Sequence, residues 1–467
     1  MSFEPIGIAT ILIGFYCLLR GSNTTIIAAA IASIFGASAA MFIGAANIQP
    51  GHVILVFLAL GVITRRHEAR ALVQGLHSSE PGFWLAGLVI YGLFSAYFLP
   101  RLLEGATQIV PLGSTAYGET RSAVPLTTVS SNLTQSVYMV GNFICFTVTV
   151  AVASTYRGFN SLVVGLLACS VLIVVFAFLD IATFSTGTQA VLGFMRNARY
   201  TLHTDDQVAG VKRIVGSFTE TSSFARTALG TFAFCTTLWL CGRRPFLTGI
   251  TGLISLILVV MSTSSTGLAG APVILVLLYV TALSLSGRQK TRSLTTAAIV
   301  FLPIIMLAVC LWVAIDPVLS KIIYNYADLV VLGKASTDSG IERNSWNALG
   351  IQNFSDSYYL GVGLGTARTS SLLIALLSNV GLPGFFFYCA FAYGALLKRR
   401  GLPGSFTADV RLSARNGCLG LMFGDLLVSS AIDQGLFFYL LAALATAEPE
   451  RATRRAAVPY PLLGVKS

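Results

Sequence analysis

Apolar blocks of roughly 14–25 residues recur along the whole chain, separated by polar loops. In a hydrocarbon bilayer every backbone N–H and C=O must find its partner inside the protein, so such blocks fold as α-helices. Strands of a β-barrel would alternate polar and apolar residues over about 10 positions, whereas these blocks are apolar on all faces. Charge content decides against a soluble domain. Asp, Glu, Lys and Arg make up 10% of the 467 residues, against about 25% in soluble domains. The apolar share is 55% and the mean hydropathy is +0.78. The expectation is an all-α fold, a polytopic membrane helical bundle, with residues 1–467 forming a single integral membrane domain.

Hydropathy places spans near 6–19, 24–46, 52–64, 83–100, 134–154, 160–180, 223–241, 246–262, 268–286, 294–315, 371–396, 414–431 and 434–447, about 12–13 transmembrane helices. No basic segment precedes the first block, so no cleaved signal peptide is expected. All eight cysteines fall in or at the ends of apolar blocks without CxxC spacing, which reads as small apolar residues rather than disulfides or metal ligands.

The net charge of +11 needs sorting by side before it implies a partner. Of the 30 basic residues, 19 fall in one alternating set of loops: Arg20; Arg65, Arg66 and Arg70; Arg157; Arg243 and Arg244; Arg288, Lys290 and Arg292; Lys398, Arg399, Arg400, Arg411 and Arg415; and Arg451, Arg454, Arg455 and Lys466. Basic loops stay cytoplasmic, so topology accounts for the charge and no nucleic acid is expected. The opposite, exoplasmic side then owns the long loops 101–133, 181–222 and 316–370.

Those loops carry the chemistry. In 316–370, Arg343 stands three residues before Trp346, and Gly361, Gly363 and Gly365 precede Arg368. Glycines let backbone N–H groups approach a ligand closely. Ser370 and Ser371 suit the N-cap of the following helix, and a helix N-terminus beside an Arg suits an anion. In 181–222, Arg213 lies seven residues before Glu220, which stands about one turn before an apolar block. A carboxylate there either complements the helix N-terminus or acts as a general base. His203, Asp205 and Asp206 in the same loop do not make a metal site. The turn Ser262–Gly267 is all hydroxyl and glycine, suited to a polar cavity or to satisfying helix ends. Asp425 and Asp433 lie in or beside an apolar block, where acids are functional candidates.

Together these loops resemble the O-antigen polymerase and O-antigen ligase superfamily of bacterial envelope glycosyltransferases. Its late exoplasmic loop carries an Arg before a Trp, a Gly-x-Gly-x-Gly turn, and a helix with Gly-x-x-Gly. Here these look like Arg343 with Trp346, Gly361/Gly363/Gly365, and Gly381/Gly384. An earlier family segment of Arg followed by Gly-Ser/Thr-Phe is similar to Arg213 with Gly216-Ser217-Phe218, and a Ser/Thr-rich turn is similar to Ser264–Gly267. The resemblance covers residues 200–400 closely and the N-terminal half only as a set of spans. Two departures matter. Ligases place a His-Asn pair where Ser370-Ser371 stands, and an Asn-rich segment where Glu220-Thr221-Ser222-Ser223 stands.

The resemblance implies a GT-C-like bundle with helical exoplasmic loops, lying in the bacterial inner membrane with its active site facing the periplasm. It implies inverting glycosyl transfer with no cofactor and no metal. The donor would be a polyprenyl-diphosphate-linked oligosaccharide, and a chain-length regulator protein and membrane lipid would be partners. The departures favour a repeat-unit polymerase for O-antigen, capsule or exopolysaccharide. The alternatives are an O-antigen ligase acting on lipid A-core, a lipid-linked saccharide transporter and a non-catalytic scaffold. Catalytic roles fall to Glu220, Arg343 and Arg368, with Asp356 and Asp433 as reserve bases. Substrate binding falls to Arg213, Gly361, Gly363, Gly365, Ser370 and Ser371.

Overall fold

The structure, a computed structural model, describes residues 2–43, 46–120, 122–199, 202–208, 210–286, 293–330, 333 and 337–451. Among the basic loop residues, Arg288, Lys290, Arg292, Arg454, Arg455 and Lys466 lie outside the described residues. The helices in chain order are α1 (Pro5–Arg20), α2 (Ser22–Ala32), α3 (Pro50–Thr64), α4 (Arg66–Gly75), α5 (Pro81–Leu102), α6 (Ser131–Val152), α7 (Tyr156–Thr186) and α8 (Thr221–Leu240). Then come α9 (Pro245–Met261), α10 (Ser265–Ser286), α11 (Ser293–Ile315), α12 (Pro317–Val330), α13 (Asp338–Asp356), α14 (Leu372–Ala392), α15 (Phe406–Val428) and α16 (Gly435–Thr446).

Six of them, α5, α6, α7, α10, α11 and α14 with the π-helical turn that continues it, are long and apolar enough to cross a membrane. Helices α1, α2, α3 and α9 are apolar but shorter. This is a helical bundle compatible with a multi-pass membrane protein. Helices occupy nearly every block that hydropathy marks, but α8 and α15 carry polar and charged residues, and α16 has only 12 residues.

One expected span is corrected. Residues 24–46 do not form one helix: α2 ends at Ala32, and Met41–Ile43 is the middle strand of a small antiparallel sheet, β1 (Ser2–Phe3), β2 (Met41–Ile43) and β3 (Ala46–Ile48). The apolar residues between are buried by tertiary contacts instead. The Ala37 N–H donates to Ser217 O at 3.0 Å, and Ser38 Oγ donates to Met195 O at 2.6 Å.

Two central helices set the architecture. α8 and α15 run antiparallel in close contact, because Gly417, Gly420 and Gly424 form a stripe on α15 that leaves no room for side chains. A Cβ on Gly420 would sit 2.9 Å from Leu229 O and 3.0 Å from Gly230 Cα. Small residues at such spacing let helix backbones approach in a bilayer. Asn416 ties the pair further, donating to Thr237 Oγ1 and to Thr281 Oγ1 of α10, each at 3.0 Å.

Beyond the C-terminal end of α8, ion pairs join loops that are remote in sequence. Arg243 meets Asp409 at 2.8 Å, Arg400 meets Glu448 at 3.2 Å and Arg451 meets Glu80 at 2.7 Å. These belong to the loops expected on one side, and they gather at one end of the bundle. The N-terminal end of α8, 20 residues or about 30 Å away, opens into a polar cavity.

Candidate functional site

Two seams of backbone and side-chain hydrogen bonds bring the site together. The first seam anchors the start of α8. Asp180, fully buried near the end of α7, accepts the N–H groups of Val215 and Gly216 at 2.7 and 3.0 Å and pairs with Arg196 at 2.7 Å. Arg196 Nη2 also donates to Gly216 O at 2.7 Å. Gly216 adopts φ +60° here, a conformation that favours glycine. Ser217 Oγ then donates to Ile34 O at 2.7 Å. The Gly216-Ser217-Phe218 segment is thus a turn clamped on the end of α7, and it delivers Glu220 as the N-cap of α8.

The second seam carries Arg368. Val362 and Gly363 donate to Ser378 O and Asn379 O at 2.8 and 2.9 Å, alongside the kink of α14 at Gly381. Asn379, buried, accepts from the Ala367 N–H at 3.0 Å and donates to Ala367 O at 3.0 Å. From α6, Ser131 Oγ donates to Gly365 O at 2.6 Å and Asn132 Nδ2 to Leu364 O at 2.7 Å. The Arg368 N–H reaches Val110 O at 2.8 Å, and the Ser370 N–H reaches Asn347 Oδ1 at 2.8 Å.

This corrects the expectation that Gly361, Gly363 and Gly365 offer backbone N–H groups to a ligand. None of them lines the cavity, and each is buried against protein backbone. A Cβ would meet Asn379 O at 2.7 Å from Gly361, Ser95 O at 2.8 Å from Gly363 and Ser131 O at 2.6 Å from Gly365. Their close approach is to α14, α5 and α6, not to substrate. Ser371 is the N-cap of α14, but its side chain makes no capping bond and does not line the cavity.

The cavity has a volume of about 660 Å³, within the usual range for ligand pockets. Three expected groups meet there: Arg213 and Glu220 from 181–222, Arg343 and Arg368 from 316–370, and Ser264 and Ser265 from the hydroxyl turn. Ser370 joins them, and the end of α15 contributes Val428 and Ser430 just beyond. Within the long loop, α13 presents Ser339, Glu342, Arg343 and Trp346 to the cavity. Their spacing of i, i+3, i+4 and i+7 is one face of a helix, so Arg343 and Trp346 share that face.

The charges are mixed. Arg213, Arg343 and Arg368 face the same space as Asp206, Glu220 and Glu342. Arg213 Nη1 lies 3.8 Å from Asp206 Oδ2, and His203 Nδ1 lies 3.4 Å from the same oxygen. Burial lowers the Arg213 pKa from its ordinary value; Asp206 and Glu220 oppose that, and Arg343 adds to it. A guanidinium remains cationic at any physiological pH. Among the described residues no carboxylate comes within 4.0 Å of the half-buried Arg343. The Arg368 guanidinium carbon sits 5.3 Å from the centroid of the Trp346 ring, a cation–π distance. Ser222 Oγ donates to Glu220 Oε1.

The reserve bases lie elsewhere. Asp356 accepts from Thr107 Oγ1 at 2.6 Å, and Asp433 accepts from Asn142 Nδ2 at 2.7 Å and the Gly435 N–H at 2.8 Å. Neither lines the cavity. Sequence reasoning passed over Glu342 and Ser339, and it weighed His203 and Asp206 only as metal ligands. The helical spacing from Ser339 to Trp346 was the available signal. Asp180 and Asn379, which hold the two seams, gave none.

No protein-family model matches this chain, and no curated protein matches it.

Proposed function

We propose that the chain is a polymerase of polyprenyl-diphosphate-linked oligosaccharide repeat units, working at the exoplasmic end of a bacterial inner-membrane bundle. The observation that supports this most is the convergence of Arg213, Arg343, Arg368 and Glu220 on one cavity from loops more than a hundred residues apart. In this reading an acceptor hydroxyl oxygen attacks the anomeric carbon of the donor from the face opposite the diphosphate. The new glycosidic C–O bond forms as the bond to the diphosphate breaks, and the lipid diphosphate leaves with the electron pair. Arg343 and Arg368 bind the leaving phosphates, and fixed cations in a partly dry site stabilise such charge best. Glu220 accepts the hydroxyl proton. Trp346 braces Arg368 and offers a flat face to the saccharide.

The test is a purified-protein assay with lipid-diphosphate-linked repeat units in EDTA, with products resolved by size. A ladder of multiples is expected from wild type and not from Arg343→Ala or Arg368→Ala. Transfer to added lipid A-core without a ladder would make the protein a ligase. Inactivity with both acceptors, across a set of repeat units, would remove the enzymatic reading.

A further inference from the structure

A second cavity, of about 420 Å³, lies at the end of the bundle remote from the polar one. It is lined by Asn160, Val163, Val164 and Leu167 of α7 and by Arg243 and Arg244 just before α9. The α7 residues follow i, i+3, i+4 and i+7, so they form one stripe, about 10 Å long at 1.5 Å per residue. That stripe is polar at Asn160 and apolar thereafter. The crevice therefore has an apolar body along α7 and a polar mouth, where Asn160, Arg243 and Arg244 stand.

The two arginines differ. Arg243 Nη2 pairs with Asp409 at 2.8 Å, and its guanidinium carbon lies 5.3 Å from the Phe406 ring centroid. It walls the crevice and its charge is balanced. Arg244 is exposed, and among the described residues no ion pair or hydrogen bond engages its guanidinium. It sits at φ +46° and ψ +55°, held by the turn that seats Pro245 and lets the buried Thr248 Oγ1 donate to the Arg243 and Arg244 carbonyls at 3.1 Å. Among the described residues, the mouth thus carries one uncompensated positive charge beside an apolar slot.

We propose that this crevice is a binding site for one anionic glycerophospholipid of the leaflet at that end of the bundle. Arg244 meets the phosphate, Asn160 supplies a polar contact, and one acyl chain lies along Val163, Val164 and Leu167. The charge complementarity is the argument for the occupant. A zwitterionic headgroup would bring a second positive charge beside Arg244, whereas an anionic one neutralises it. The site is independent of the proposed polymerase activity, and it requires only that the bundle sits in a bilayer.

Native mass spectrometry of the purified protein, titrated with phosphatidylglycerol or phosphatidylcholine, tests it. Wild type should retain one phosphatidylglycerol in preference to phosphatidylcholine. Arg244→Gly removes the guanidinium while suiting the left-handed backbone, and it should weaken phosphatidylglycerol binding about fivefold, the effect of one cation at a membrane surface. Arg244→Lys should keep the preference. Val164→Trp fills the slot without touching the charges and should displace the lipid. Unchanged phosphatidylglycerol binding in both Arg244→Gly and Val164→Trp would overturn the proposal. A dimer that Val164→Trp dissolves, with lipid binding unaffected, would also overturn it by giving the crevice to a second copy of the chain.

Discussion

Arg226 of α8 and Asp425 of α15 form a two-point ion pair inside the bundle, one helical turn from the cavity-lining Ser222 and Ser223. Arg226 donates from Nε to Oδ1 and from Nη2 to Oδ2, the latter at 2.7 Å. Nη2 also donates to Gln434 O at 2.8 Å, Gln434 Nε2 to Asp425 Oδ2 at 3.0 Å, and Tyr388 OH to Gln434 Oε1 at 2.8 Å. An acid in an apolar block is a functional candidate by default, but this one is saturated by protein partners. It acts as a positioning group, fixing the end of α8 that carries Glu220 against the end of α15 that reaches Val428.

Removing one partner should therefore be worse than removing both. Asp425→Ala leaves the partly buried Arg226 guanidinium without its counter-charge, which costs up to about 3–5 kcal/mol, the range for a fully buried pair. Arg226→Met with Asp425→Leu removes both charges and keeps apolar volume. Thermal melting in detergent should place the double variant well above Asp425→Ala. A double variant melting at or below the single one would show that the pair contributes specific stability beyond mutual neutralisation.

Arg343 separates activity from stability. It has no ion-pair partner among the described residues, so Arg343→Ala should leave the melting temperature within a degree or two of wild type. If the chain is the proposed polymerase, its repeat-unit polymerisation should fall by about 10²–10³, the loss from one preorganised donor at a developing oxyanion. Arg343→Lys should recover only part of it, because a point charge does not reproduce two-point phosphate binding. Equal losses of stability and rate in Arg343→Ala would make the residue a structural one.

Trp346 should matter through Arg368. A cation–π contact is worth about 0.5–2 kcal/mol, so Trp346→Ala should lower the polymerisation rate between a few-fold and about thirtyfold. Trp346→Phe should retain more of it. Indistinguishable Ala and Phe variants would mean the ring does not brace the guanidinium.

The elements were legible because bilayer physics leaves few options: an apolar block without charges becomes a helix. Ile34, Ala37 and Ala40 show the limit of that rule. They are as apolar as their helical neighbours, yet Ser217, more than 150 residues away, holds Ile34 O and the Ala37 N–H, and Ala40 pairs with Glu4 and with Ile48 of the small sheet, so the helix does not continue. In the site, Arg213, Glu220, Arg343 and Arg368 were legible as charges standing next to apolar blocks on the less basic side. The glycine series was legible as a close approach but not as to what. Sequence spacing reports that a Cβ is unwelcome, and only the packing of Asn379, Pro100 and Ser131 reveals that protein occupies the space.

Glu220 can be separated from its neighbours by substitution. Its side chain makes no capping bond to the start of α8, so Glu220→Gln should leave the fold intact. If it takes the acceptor proton, the rate should drop by about 10²–10⁴ while donor binding is unchanged. Single-turnover assays at saturating donor distinguish this from a binding defect. Retention of wild-type rate would move the proton to His203, Asp206 or Glu342, the other titratable groups of the cavity.

Gly381 offers the sharpest test of how the site is held. It sits at φ +58° and ψ −162° inside α14, where the Leu382 N–H turns to Tyr359 O at 2.9 Å. A Cβ would stand 2.2 Å from Tyr359 O and 2.4 Å from the Leu360 carbonyl carbon. Neither is a flexible side chain, so Gly381→Ala must either straighten α14 or push the Tyr359–Gly365 segment away from it. Both outcomes release the Asn379 clamp that sets Ala367, and with it Arg368. Gly105→Ala is the control: φ is +71° but nothing lies within 4 Å, so its cost is the left-handed conformation alone, about 1–2 kcal/mol. The expectation is a modest fall in melting temperature for Gly105→Ala and little folded protein for Gly381→Ala. Any Gly381→Ala that survives should have lost polymerisation out of proportion to its loss of stability. Similar behaviour of the two variants would mean that the seam beside α14 yields easily and does not position Arg368.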